Sequence, residues 1–127
     1  MNVLDENISV IQRQLLQNWH VPVRHIGYEI ERKGMKDDEI IPFLLTLHRP
    51  TFFTLYWDYF KRDLCHARYC LVHLDVRRDE SAIFIRRLLH HEEFDTQAKR
   101  MGAVIRVSYG RVIAWRLDAQ KEASFSW

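Results

Sequence analysis

Two cysteines, Cys65 and Cys70, are all the thiol chemistry in this sequence, too little for the disulfide framework of a small secreted domain. Long apolar runs are also missing. Nothing approaches the roughly 18 consecutive apolar residues that a membrane-spanning helix needs. The start of the chain has no basic stretch followed by an apolar one; Asp5 and Glu6 stand where a signal peptide would carry cations. Internal repeats, linkers and low-complexity segments are absent too. These absences point to a reduced, cytoplasmic protein with no membrane association. What is present is ordinary globular material: 127 residues, 47% apolar and 28% charged, which suits one domain over 1–127 and argues against disorder. His66 and His73 lie near the two cysteines, but their spacing matches no familiar zinc pattern. Two half-buried thiols flanking a strand are the plainer expectation.

The net charge of +2 hides an uneven distribution. Residues 1–45 hold five basic and seven acidic side chains, whereas residues 86–116 hold seven basic and three acidic. An acidic first third and a basic last third suit a protein that chelates cations in one place and holds a polyanion in another. A mixed, solvated surface is the bland alternative.

Periodicity orders the elements. Asn2-Val3-Leu4 reads as a short buried strand. Asn7 or Ser9 can cap a helix with Ile8, Ile11, Leu15 and Trp19 on its apolar face. Val21–Ile26 alternates as a second strand, with Pro22 at its start or at an unpaired position. Gly27 and Gly34 bracket a polar loop. Asp37 or Asp38 caps a second helix with Ile40, Ile41, Leu44 and Leu45 inward, although Pro42 pushes the regular part toward Glu39. Thr51–Thr54 reads as a third strand, Trp57–Leu64 as a short helix, and Tyr69–Leu74 as a fourth strand buried on both faces. A helix opening at Asp79 or Ser81 carries Ile85, Leu88 and Leu89 inward and Arg86, Arg87 and His90 outward. Thr96–Met101 forms a short helix stopped by Gly102. Ala103–Ser108 and Val112–Leu117 alternate across a Tyr109-Gly110 turn as a hairpin. Strands alternating with helices predict an α/β fold with a mostly parallel sheet, helices on both faces and the hairpin at one edge.

In such sheets chemistry collects outside the carboxyl ends of the strands. Asp5 directly follows the first strand, Asp58 closely follows the third, and Asp37, Asp38 and Glu39 open the helix between them. Carboxylates converging there would make a hard-cation site, since Mg²⁺ and Mn²⁺ prefer oxygen ligands. Asp5 is the hardest to explain structurally, because a carboxylate at a buried strand end needs a partner. Asp37, Asp38 and Asp58 can equally be helix caps, and Asp75, at the end of the fourth strand, a turn residue.

Leu4-Asp5-Glu6-Asn7, then Asp37-Asp38-Glu39-Ile40, then Thr54-Leu55-Tyr56-Trp57-Asp58-Tyr59 resemble, in order and spacing, the LDEN-type subgroup of PIN-like domains of the VapC toxin group. The later arginine-rich helix and terminal hairpin extend the resemblance over most of the chain. It implies a three-layer PIN-like (Rossmann-like) fold and a Mg²⁺- or Mn²⁺-dependent endoribonuclease of a toxin–antitoxin system, with RNA as substrate, a cognate antitoxin and a homodimeric assembly. Asp5 becomes the primary metal ligand. Asp58 and an acidic residue of the 37–39 run, Asp37 in preference to Asp38, complete the shell. Asn7 and Thr54 sit against substrate or ligand, and Arg86, Arg87, Lys99 and Arg100, with His90 and His91, offer phosphate contacts that position RNA without reading it. Trp57, Tyr59 and Tyr69 can stack bases, although most aromatics are core.

One departure matters. Tyr56 stands where the third motif calls for its first aspartate. A phenol is neutral at pH 7 and a poor Mg²⁺ ligand, which implies a naturally impaired enzyme, a chain carrying an inactivating substitution at this position, or a non-catalytic PIN-like module that binds RNA or protein. A phosphatase-like or receiver domain fits less well: the former needs Asp-x-Asp after strand one, where this chain has Asp5-Glu6-Asn7, and the latter a lysine that Ser108-Tyr109-Gly110 does not offer.

Overall fold

A computed structural model describes residues 1–31 and 33–127. Arg32, within the loop bracketed by Gly27 and Gly34, lies outside them. Seven strands form one sheet: β1 (Asn2–Leu4), β2 (Arg24–His25), β3 (Thr51–Thr54), β4 (Cys70–Leu74), β5 (Ala103–Val107), β6 (Arg111–Arg116) and β7 (Ala123–Ser126). They stand in the order β2-β1-β3-β4-β5-β6-β7. The first five run parallel and the last two antiparallel. The helices are α1 (Val10–Asn18), α2 (Asp37–Leu44), α3 (Ser81–Leu89) and the single turn α4 (Gln97–Arg100).

Strand register explains the two cores. Leu4, Phe53, Val72, Ile105 and Ala114 stand side by side across five strands. They face α1 and α3, where Leu16, Ile85 and Leu88 meet them together with Ile8 from the turn before α1. Their neighbours Val3, Phe52, Leu71 and Val104 point the other way, onto Ile40 and Leu44 of α2 and Tyr59. β4 is buried at all five positions, as its near-continuous apolar run foretold; His73 is its one polar side chain. The sheet therefore has helices on both faces.

Several elements differ from expectation. On α1 the inward position is Gln12, and Ile11 is 69% exposed. Gln12 Nε2 donates to the Asp79 carbonyl at 3.0 Å, and its Oε1 accepts from Ala82 N at 2.9 Å. It thus ties α1 to the first turn of α3 and satisfies backbone groups that would otherwise be orphaned. The second strand shrinks to two residues, with Pro22 outside it. Lys36, with extended backbone, is the N-cap of α2, so Asp37, Asp38 and Glu39 fill the first helical turn rather than capping it. There they lie at the positive end of the helix dipole. Pro42 sits inside α2 on its exposed side, where water can take the carbonyl its missing N–H leaves free. Trp57–Leu64 forms two 3₁₀ turns, Trp57–Tyr59 and Arg62–Leu64, instead of a helix. The expected terminal hairpin is present as β5 and β6, and β7 extends it by one more strand at the sheet edge. Among the described residues, no helix is long and apolar enough to cross a membrane.

Candidate functional site at the β1–β3 switch point

Strand order reverses between β1 and β3, since the chain leaves β1 toward β2 on one side and returns through β3 on the other. Helices leaving the two strands in opposite senses open a crevice at their carboxyl ends. An open cleft of about 460 Å³ lies there, lined by Asp5, Glu6, Asn7, Met35, Asp37 and Tyr56.

Asp5 anchors it. Its backbone N–H continues the β1–β3 ladder to Phe53 O at 2.9 Å. Its Oδ1 accepts from Glu6 N at 2.8 Å and its Oδ2 from the Thr54 hydroxyl at 2.7 Å. Burial pushes the carboxyl above the usual aspartate range, and the charges of Asp37 and Glu6 push the same way. The bonds from Thr54 and Glu6 N oppose them. Asn7 turns its amide inward: Nδ2 donates to Thr54 Oγ1 at 3.2 Å and Oδ1 accepts from Leu55 N at 3.3 Å. Asn7 and Thr54 therefore knit the cleft floor together.

Asp37, from the first turn of α2, forms the facing wall. Tyr59 is 4% exposed, and its hydroxyl donates to Asp37 Oδ1 at 3.3 Å. Burial is the main cause that lifts the Tyr59 phenol above its ordinary value, with the Asp37 and Asp5 charges next. Tyr59 thus works as a neutral donor that steadies Asp37, and its burial removes it from base stacking. Tyr69 is equally buried, at 3%. Trp57 remains, 67% exposed beside the 40% exposed Tyr56, with their ring centroids 6.5 Å apart.

Tyr56 completes the cleft, and Asp58 does not line it. Asp58 lies close enough to the Tyr56 hydroxyl to hold that phenol above its ordinary value. Asp38 lies exposed outside the cleft. Glu6 is committed to the loop above, its two oxygens accepting from Gly34 N at 3.1 and 2.9 Å. The cleft therefore gathers Asp5 and Asp37 around a phenol. Among the described residues, no three His, Cys, Asp or Glu side chains are grouped to hold a metal ion. A divalent cage of carboxylates does not fit the residues present.

The expected phosphate contacts lie elsewhere. α1 and α3 both start at the carboxyl edge of the sheet and run back, so the last turn of α3 lies at the amino edge. There the Arg86 guanidinium stacks over Trp19 at 3.8 Å, and that of Arg87 over Trp127 at 4.5 Å. Lys99 Nζ pairs with Asp95 at 2.8 Å. Arg100 is only 5% exposed and bonds Thr51 Oγ1 and Phe94 O. None of the four reaches the acidic cleft, and Arg100 is held inside the fold.

Two histidines near the site were not among the residues expected there, His73 having been weighed only beside the cysteines. His25, fully buried at the end of β2, stacks on Tyr28 with centroids 4.3 Å apart. Neither ring nitrogen has a hydrogen-bond partner, and burial lowers its pKa. His73 pairs in register with Thr54, and burial lowers its pKa too. A polar residue inside an apolar strand pattern was the available signal for both.

Comparison with family models, with curated proteins and with solved structures finds no match for this chain.

Proposed function

We propose that this chain is a cytoplasmic PIN-like domain related to VapC-type toxins, a metal-dependent endoribonuclease scaffold whose activity is impaired by Tyr56. One observation carries the reading. The three motifs, distant in sequence, all reach one cleft at the switch point, with Asp5 and Asp37 in its walls and Tyr56 where a further carboxylate is due. In an intact site of this kind, a divalent ion supplies a water of lowered pKa and neutralises charge on the phosphodiester. Here the cleft offers that ion two carboxylates and a phenol, too few anionic ligands for hydrolysis by this chain. The cleft's own residues hold Asp5, through Thr54 and Glu6 N, and Asp37, through Tyr59. The exposed Tyr56–Trp57 pair gives a stacking surface for single-stranded RNA. A cognate antitoxin and a second copy of the chain are the protein partners this reading implies.

The absence of a complete carboxylate group favours a second reading, a PIN-like module that binds RNA or protein without cutting. One experiment separates the two. Wild type, Tyr56→Asp and Tyr56→Asp with Asp5→Asn are incubated with Mn²⁺ or Mg²⁺ and single-stranded RNA, with a chelator control. The nuclease reading expects near silence from the wild type, metal-dependent cleavage from Tyr56→Asp, and loss of about 10–100-fold or more when Asp5 is also changed. A folded Tyr56→Asp protein that leaves a range of RNAs intact with metal present ends the nuclease reading. Retained RNA binding would then leave the module.

A further inference from the structure

At the amino edge of the sheet, on the opposite side from the acidic cleft, β1, β2 and β3 begin together and α4 ends beside them. A cavity of about 220 Å³ lies there, lined by Asn2, Pro22, Val23, Arg24, Gln97 and Arg100 together with Met1. No carboxylate is among its lining residues. Arg100 is the unusual member. It is a guanidinium 5% exposed, and its two hydrogen bonds, from Nε to Thr51 Oγ1 at 2.9 Å and from Nη1 to Phe94 O at 2.8 Å, go to neutral acceptors. Asp95, whose field reaches it, is held by Lys99 at 2.8 Å. A buried cation with no carboxylate bonded to it directly is costly, and an anion in the cavity would lower that cost. Arg24, with a side chain 59% exposed, adds a second guanidinium. Its carboxylate neighbour Glu29 stands 4.0 Å away and is bonded instead to Arg13 at 2.7 Å. Asn2, on the same wall, keeps Oδ1 buried without a donor, a match for the hydroxyl of a protonated oxyanion.

We infer that this cavity binds a phosphate-type oxyanion, taken up free or as the terminal phosphate of a polynucleotide, with Arg100 and Arg24 as its charged donors and Gln97 as a neutral one. Guanidinium forks match the oxygens of such a group. The site is independent of the nuclease reading, shares no residue with the acidic cleft and is tested without any activity measurement.

The test titrates the protein with inorganic phosphate, followed by NMR of the Asn2 and Gln97 side-chain amides against chloride at matched ionic strength. Saturable shifts at these amides are expected. Arg24→Gln, at an exposed position, should weaken binding about tenfold, the loss expected for one charge-assisted contact. Arg100→Lys should weaken it as well, since it keeps the charge and loses the fork. A parallel arm compares one oligoribonucleotide carrying either a 5′-phosphate or a 5′-hydroxyl. Preference for the phosphorylated form identifies a chain end as the ligand, and equal binding of the two alongside saturable phosphate binding identifies the free oxyanion. Absence of saturable binding to wild type at tens of millimolar phosphate overturns the inference, as does unchanged affinity in folded Arg24→Gln and Arg100→Lys proteins.

Discussion

The Thr54 hydroxyl donates to Asp5 Oδ2 at 2.7 Å, and its direction is fixed by its surroundings. Thr54 Oγ1 already accepts from Asn7 Nδ2 at 3.2 Å and from Tyr56 N at 3.0 Å. A hydroxyl has two acceptor sites and one proton, so the proton goes to the carboxylate. One side chain thus joins β1, the loop after it and the segment that carries Tyr56.

Replacing Thr54 by Val should leave three polar groups short of a partner at once. A loss of about 1–3 kcal/mol is expected in urea unfolding. Thr54→Ser keeps the hydroxyl and should recover most of it. A loss from Ser with none from Val would show that the methyl group, not the hydrogen bonds, matters there.

Asp5 should titrate above the ordinary aspartate value of about 3.9, because burial disfavours its charged form. The unfolded chain then sheds this proton first. Between the ordinary and the raised value the folded state holds more protons, so the contribution of Asp5 makes stability fall as pH rises through that window and level off above it. Carbon-detected NMR of the Asp5 carboxyl checks this directly. Asp37→Asn should lower the Asp5 midpoint by removing a like charge, and Thr54→Val should raise it by removing a donor. Movement of either midpoint in the opposite sense contradicts the assignment of causes.

Gln12→Leu should cost about 1–3 kcal/mol despite adding apolar surface at a buried position, since Ala82 N and the Asp79 carbonyl lose their partner. Hydrogen exchange at Ala82 should quicken along with the drop in urea midpoint. A neutral or stabilising outcome would mean that water replaces the amide without penalty.

Gly27 has φ +83°, and a Cβ there would stand 2.8 Å from Glu6 Oε2. Gly27→Ala should cost about 1–2 kcal/mol from the left-handed backbone. It should also displace Glu6 from Gly34 N, visible as faster exchange of the Gly34 amide. Unchanged Gly34 protection would show that Glu6 gives way without releasing its loop.

Much of this architecture was legible because β1, β3 and β4 are short, strongly apolar and followed by polar residues, so their burial and parallel order follow from pattern alone. Positions set by a distant partner were not. Gln12 takes the inward place on α1, where Ile11 was expected, because α3 needs its amide; no local periodicity encodes that need. β7 runs Ala-Ser-Phe-Ser and has few strand-forming side chains; it forms because β6 presents an open edge to it. Asp5 and Asp37 could be assigned to one edge from the strand order. That Tyr56 lines the cleft while Asp58 stands outside it could not, because the 3₁₀ turn at Trp57–Tyr59 decides where each residue of that motif points.

The parallel order of β1 through β5 sorts charge by sense of travel. Asp5 and Asp37 lie where strands finish, whereas Arg24, Arg86, Arg87 and Arg100 lie where strands set out. The acidic cleft and the arginine-lined cavity therefore open at opposite edges of the sheet. A small dication at the first and an oxyanion at the second would occupy separate ground and could be bound together.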